Sequence, residues 1–107
     1  MLRPAQFKRA YAEGRRFSNE FFTFNVVPSE VTWARLGMSI AARNLRRAVD
    51  RNRIRRLIRE SFRVHQSQLP RVDIVIGARA LVTSADNASL RAALQTLWRK
   101  VADSCAT

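Results

Sequence analysis

Between positions 43 and 63 the chain carries nine arginines (43, 46, 47, 51, 53, 55, 56, 59 and 63) against two carboxylates, Asp50 and Glu60. Threaded through them are Ile54, Leu57, Ile58 and Phe62, spaced three and four apart. That spacing puts apolar side chains on one side of a helix. On a wheel of about 100° per residue, Leu57, Ile58, Phe62 and His65 fall within about 80° of Ile54. Asn52, Arg55, Arg56, Arg59 and Arg63 spread over the opposite half, and Arg51 and Arg53 lie near the two seams. The helix is expected over residues 46–68, with Asn44 as its N-cap and Pro70 limiting its far end. Its oily stripe must be covered by the rest of the fold.

The cationic side poses a different problem. Arg51–Arg55, Arg55–Arg59 and Arg59–Arg63 are like-charged pairs four residues apart, which repel by a few tenths of a kcal/mol each. Glu60 relieves Arg56 and Arg63 only in part. A row that an isolated helix disfavours points to a partner that supplies the counter-charge. The whole chain of 107 residues has 20 Lys and Arg against 8 Asp and Glu, a net charge of +12. A G+C-rich coding bias accounts for arginine over lysine equally well, but not for the placement: residues 43–63 hold +7 and the other 86 hold +5. Focused charge is the footprint of a polyanion site, and arginine's planar fork grips phosphate with two parallel hydrogen bonds. A basic amphipathic helix also suits calmodulin or a membrane surface. Here the apolar stripe is needed for the domain's own core.

Several classes are disfavoured by what the chain lacks. Hydrophobic residues make up 47% of it, enough for a core, which excludes a disordered basic tail. The length suits one domain over residues 1–107. The single cysteine, Cys105, makes no internal disulfide and receives no role. The opening residues contain no apolar stretch of a signal peptide, and no run approaches the roughly 20 residues of a membrane span, so the cytoplasm is the expected compartment. One histidine and eight scattered carboxylates provide neither a metal site nor an acid–base constellation. Gly14 and Gly37 are isolated and form no phosphate loop.

Along the chain, Pro4 and Gly14 bracket a short helix over residues 4–13, with Phe7, Ala10 and Tyr11 on one face. Residues 15–19 form a short edge strand or an irregular turn. Phe21 to Val27 alternates Phe22, Phe24 and Val26 against Phe21, Thr23 and Asn25, a strand. Trp33 to Ala41 alternates Leu36, Met38 and Ile40 against Arg35, Gly37 and Ser39, a second strand expected to pair antiparallel with the first. Val72 to Ala78 forms another strand, with Val72, Ile74 and Ile76 inward and Val75 on the other face. Asp86 or Asn87 caps a last helix carrying Leu90, Leu94, Leu97, Trp98 and Val101. The result is an α+β sandwich of helices on a small sheet.

The stretch Arg35-Leu36-Gly37-Met38-Ser39-Ile40-Ala41, then Asn44 to Asp50, then Arg51-Asn52-Arg53-Ile54-Arg55-Arg56-Leu57-Ile58-Arg59-Glu60-Ser61-Phe62, resembles the signature region of the bacterial ribonuclease P protein subunit. The likeness continues through Leu69-Pro70, the strand at 73–79, and Leu97-Trp98-Arg99. Phe7, Tyr11 and Gly14 fit the family's opening helix. It covers essentially the whole chain, most weakly over residues 15–33.

This resemblance implies a small mixed four-stranded sheet in αβββαβα order, a two-layer sandwich with a left-handed βαβ crossover, where general topology rules anticipate a right-handed one. It implies a ribonucleoprotein endonuclease that removes the 5′ leader of precursor tRNA. The chemistry is expected on the RNA subunit and its Mg²⁺, with no catalytic side chain or cofactor on the protein. The expected partners are ribonuclease P RNA and precursor tRNA; neither a membrane nor a protein partner is required. Arg51, Asn52, Arg53, Arg55, Arg56 and Arg59 match the motif that faces the catalytic RNA, and Arg47 and Arg63 extend it at either end. Phe7 and Tyr11 match aromatics lining a cleft for the single-stranded leader; their periodicity alone makes them core. Arg43 matches the second of a basic pair after the preceding strand, while the first, usually lysine, is Ala42 here. Arg79 is placed at the cleft's other wall. The alternatives are a ribosomal or assembly-type RNA-binding protein without leader recognition, and a free-standing nuclease, which the missing catalytic constellation disfavours.

Overall fold

The structure, a computed structural model, describes residues 2–104, so Cys105 lies outside it. Its elements run α1 (Pro4–Glu13), β1 (Arg15–Ser18), β2 (Phe22–Pro28), β3 (Arg35–Ser39), α2 (Ala48–His65), β4 (Val72–Ala78) and α3 (Asn87–Ser104). Short 3₁₀ turns follow α2 at Gln66–Gln68 and β4 at Ala80–Ser84. This is the expected αβββαβα order, and residues 15–19 resolve into an edge strand.

The sheet order is β1-β2-β4-β3. β2 pairs antiparallel with β1 and β4, while β3 pairs parallel with β4. The expected antiparallel pairing of β2 with β3 is therefore corrected: β4 inserts between them. The reason lies in burial. Val72, Asp73, Ile74, Val75 and Ile76 are buried on both sides of β4, the signature of a central strand. β3 pairs through one edge only, and its parallel partner is reached through the α2 crossover.

One sheet face packs under α2 and α3. Phe22, Phe24, Val26, Leu36, Ile74 and Ile76 meet Ile54, Leu57, Ile58 and Phe62 of α2 and Leu90, Leu94, Leu97, Trp98 and Val101 of α3. The Trp98 ring lies 4.7 Å from Phe24 and 5.7 Å from Phe62, and its Nε1 donates to Ser61 Oγ at 2.8 Å. His65 stacks on the same indole and its Nδ1 lies 2.9 Å from the Ser61 carbonyl, so it belongs to the core's margin.

The reverse face carries α1. Leu2, Ala10, Val27 and Val75 form a second, smaller core there, with Phe7 packed against it. Beside it Arg35 and Asp73, register partners on β3 and β4, make two hydrogen bonds of 2.8 Å, with the Asp73 side chain buried. The hydrogen bond to Asp73 is the main cause that raises the Arg35 pKa. α1 begins with Pro4 in its first turn and with the Gln6 side-chain oxygen Oε1 accepting the Arg3 N–H at 2.7 Å. It ends at Gly14, which turns to extended backbone while its N–H donates to the Ala10 carbonyl at 2.9 Å, an approach that leaves no room for a Cβ.

The start of α2 also differs from expectation. Asn44 is not its N-cap; Arg47 holds that position without a side-chain cap. The loop after β3 turns at Ala41, buries Leu45, and directs Asn44 Nδ2 to the Ala78 carbonyl at 3.4 Å. Asn44 thus ties two parallel strand ends together instead of opening a helix. At α3 the expected cap is present: Asp86 Oδ1 accepts the Ser89 N–H at 2.7 Å.

Candidate nucleic-acid interface

α2 separates its side chains as the wheel demands. Ile54, Leu57, Ile58 and Phe62 are buried, and Arg47, Asn52, Arg56, Arg59 and Arg63 are exposed. Arg51, Arg53 and Arg55 are half-buried at the borders. The exposed cations have little internal counter-charge. Arg56 Nε lies 3.6 Å from Glu60 Oε1, with both side chains largely in water. Such an exposed pair is worth at most about 1 kcal/mol, so it leaves Arg56 available. Among the described residues, Arg47, Arg55, Arg59 and Arg63 have no carboxylate within ion-pair distance.

Arg51 and Arg53 play a part that sequence spacing did not show. Arg51 Nη1 donates to the carbonyls of Leu45 at 2.8 Å and Arg46 at 3.0 Å, holding the loop that leads into α2. Arg53 reaches forward: Nε donates to Asn87 Oδ1 at 2.9 Å and Nη2 to the Ala85 carbonyl at 2.7 Å. It clamps α2 to the start of α3. A guanidinium has five donors, so both can staple and still present N–H groups outward. Their position at the seams is the signal that could have revealed this.

The second surface lies on the reverse face beside α1. Phe7 is half-buried against β3, where a Cβ on Gly37 would come within 2.7 Å of its ring. Tyr11, one turn on, is 54% exposed. The two aromatics therefore divide: Phe7 packs against the smaller core and keeps part of its periodicity reading, while Tyr11 is open to solvent, which corrects the reading of it as core. Beyond Gly37 on the same face, register places Ser39, Gly77, Thr23 and Ser18 in one row across the sheet. This floor is made of small residues, and a Cβ on Gly77 would meet Thr23 Oγ1 at 2.7 Å. Arg43 and Arg79, both exposed, follow the C-terminal ends of the parallel strands β3 and β4. The Asn44–Ala78 contact brings those ends together, and the Arg79 N–H is held by the Phe21 carbonyl at 2.8 Å. Ala42 is exposed there too and adds no charge.

The arrangement thus offers a cationic helix face and, on the sheet face that carries α1 and its exposed Tyr11, a strip of small residues, the α1 trough, with Arg43 and Arg79 exposed beyond the strand ends. The first suits phosphates of folded RNA, and the second suits an unpaired strand. Among the described residues no cluster of three His, Cys, Asp or Glu side chains could hold a metal ion, and no helix is long and apolar enough to cross a membrane.

A family model described as Ribonuclease P matches residues 1–102. The ribonuclease P protein component of Thioalkalivibrio sulfidiphilus is 42% identical over 106 residues, covering 99% of this chain and 88% of that protein. The solved ribonuclease P protein of Staphylococcus aureus superposes with a TM-score of 0.86 at 32% identity, over 95% of this chain and 93% of that one. The protein from Thermotoga maritima, solved with 1-(4-fluorophenyl)-2-thiourea, superposes with a TM-score of 0.86 at 27% identity, over 94% and 99%.

Proposed function

Since the chain belongs to the ribonuclease P protein family, we propose that its α2 face docks on the catalytic RNA while the α1 trough holds the 5′ leader of precursor tRNA. Membership of this family makes the chain an RNA-binding subunit of a tRNA-processing ribonucleoprotein. The finer assignment rests above all on the outward face of α2. Asn52, Arg56, Arg59 and Arg63 are exposed on the helix whose opposite side closes the core. A face that the fold has no use for, and that repels itself, fits a polyanion.

In this reading Arg47, Asn52, Arg55, Arg56, Arg59 and Arg63 contact phosphates and 2′-hydroxyls of the RNA subunit. Arg51 and Arg53 add contacts while holding the loops on either side. Tyr11 stacks on a leader base, Phe7 forms the wall beneath it, and Arg43 and Arg79 neutralise leader phosphates at the strand ends. A base stacked on an aromatic side chain contributes about 1–3 kcal/mol without selecting sequence strongly. Tolerance of that kind suits a subunit that must accept many leaders.

The chain contributes binding and orientation to the reaction. Of its eight carboxylates, Asp73 is held by Arg35, Glu13 pairs with Arg9, and Asp86 caps the α3 N-terminus, while Glu60 makes only an exposed pair with Arg56. The described side chains offer no ligand set for a divalent ion. The proposal therefore assigns Mg²⁺ and phosphodiester hydrolysis to the RNA subunit.

The test is cleavage of precursor tRNA by the reconstituted particle at low Mg²⁺, with leaders of graded length. Stimulation by the protein should grow with leader length until the trough is filled, and protein alone should not cleave. Stimulation independent of leader length would remove the trough from the account, and site-specific cleavage without RNA would overturn the division of labour.

A further inference from the structure

A third surface lies on the open edge of the sheet, between the N-terminal end of α1 and the C-terminal half of α2. It is a concave pocket of about 540 Å³ lined by Arg3, Gln6, Trp33, Arg59, Phe62 and Gln66, among others. The loop before β3 supplies Trp33, which is 56% exposed. An indole so open to water is unusual in a domain that buries its other tryptophan to 2%. Arg3 and Arg59 flank the pocket, and among the described residues neither has a carboxylate within ion-pair distance. Packing does not explain these groups, because the core beneath them is already closed by Phe62 and Leu36. The polar background is fixed: Gln66 Nε2 donates to the Ala34 carbonyl at 3.1 Å, and Arg35 is held by Asp73.

We infer that this edge pocket receives one unpaired nucleotide of the RNA subunit, its base stacked on Trp33 and its flanking phosphates held by Arg3 and Arg59. An open indole between two uncompensated guanidiniums is the combination that unpaired nucleic acid recognises. The occupant comes from the RNA subunit and not from the leader for a positional reason. Arg59 belongs to the α2 face, and Trp33 precedes β3 whereas Arg43 follows it at the opposite end. The inference rests on the proposed α2–RNA contact and adds a stacking site to an otherwise electrostatic surface.

The full chain contains two tryptophans, Trp33 and the buried Trp98, so its fluorescence reports on the pocket. Titrating the protein with ribonuclease P RNA should quench emission in the parent chain, and Trp33→Phe should abolish most of that quenching. Trp33→Ala should weaken RNA binding by about five- to a hundredfold, with Trp33→Phe recovering most of the loss. Arg3→Ala should lower the salt slope of binding by about one. Precursor tRNA alone should not quench Trp33. An unquenched Trp33 in the saturated complex, or Trp33→Ala binding within twofold of the parent, overturns the pocket assignment. Equal quenching by precursor tRNA alone overturns the choice of occupant. Arg56→Ala serves as the control for the underlying reading. If it weakens binding while Trp33→Ala does not, only the pocket fails; if it too leaves binding and its salt slope unchanged, the α2 contact itself fails.

Discussion

At the residue scale, neighbours in one motif differ in how far the fold depends on them. Tyr11 and Phe7 lie one turn apart, yet one ring is mostly in water and the other rests on the β3 backbone. Tyr11→Ala should change unfolding free energy by no more than about 0.5 kcal/mol while weakening binding of leader-bearing substrate. Phe7→Ala should cost about 2 kcal/mol, roughly half the cost of a fully buried ring. Paired urea denaturation and substrate-binding measurements separate the two effects. Asp73 is a simpler case. Its carboxylate is buried and bonded twice to Arg35, whose side chain keeps 18% exposure. Asp73→Ala should destabilise the chain by about 3 kcal/mol, the low end for breaking a buried pair, because the orphaned guanidinium can still reach water. Urea unfolding reads this directly, and a loss under 1 kcal/mol would show that the pair holds little of the fold.

At the element scale, the arginines of α2 divide between solvent and the fold. Arg56 has only an exposed glutamate partner, whereas Arg53 joins α2 to the start of α3 through two hydrogen bonds. Arg56→Ala should reduce the salt slope of RNA binding by about one phosphate contact with Tm unchanged. Arg53→Ala should lower both, with a stability loss of about 1–2 kcal/mol for the two bonds. Thermal melts beside salt-dependent binding isotherms distinguish a residue that faces RNA from one that also staples the protein. α3 carries a pH signature at its N-terminus. The Ser89 backbone N–H, then its side chain, hold the Asp86 carboxyl below its ordinary value of 3.8. A carboxylate depressed in the folded state stabilises fully above the unfolded value, and that stabilisation disappears as pH falls through the folded one. Between pH 5 and pH 2, roughly the range in which carboxylates protonate, the parent chain should therefore lose Tm more steeply than Asp86→Asn. Parallel Tm-against-pH curves would refute the cap's contribution.

At the scale of the whole molecule, the net charge of +12 sets stability against function. Excess like charge repels itself in the compact state, and salt screens that repulsion over about 10 Å at 0.1 M. Raising NaCl from 50 to 300 mM should therefore increase Tm while RNA affinity falls steeply. The two trends share one cause, and differential scanning calorimetry beside binding isotherms in the same buffers checks them together. A Tm that fell with salt would mean that internal ion pairs outweigh the repulsion. Topology matters at this scale as well. The sheet lies between α2 and α1, so the helix face and the trough can be occupied together.

The chain's own pattern was sufficient for the order of every element but β1, which it left between a strand and a turn, for the extent of α1 and β4, and for the oily stripe of α2 and the cationic half opposite it. Each follows from local periodicity and from breakers such as Pro4, Gly14 and Pro70, which act within a few residues. Tertiary structure decided the rest. It placed β4 between β2 and β3 because a strand apolar on both faces has to be covered on both. It turned Asn44 from a helix cap into a tie between strand ends, and it gave Arg51 and Arg53 backbone carbonyls to hold. It also left Tyr11 and Trp33 in water while burying Trp98, a distinction that periodicity cannot make: exposure depends on which distant segment arrives to cover a ring, and that segment is chosen only when the layers pack.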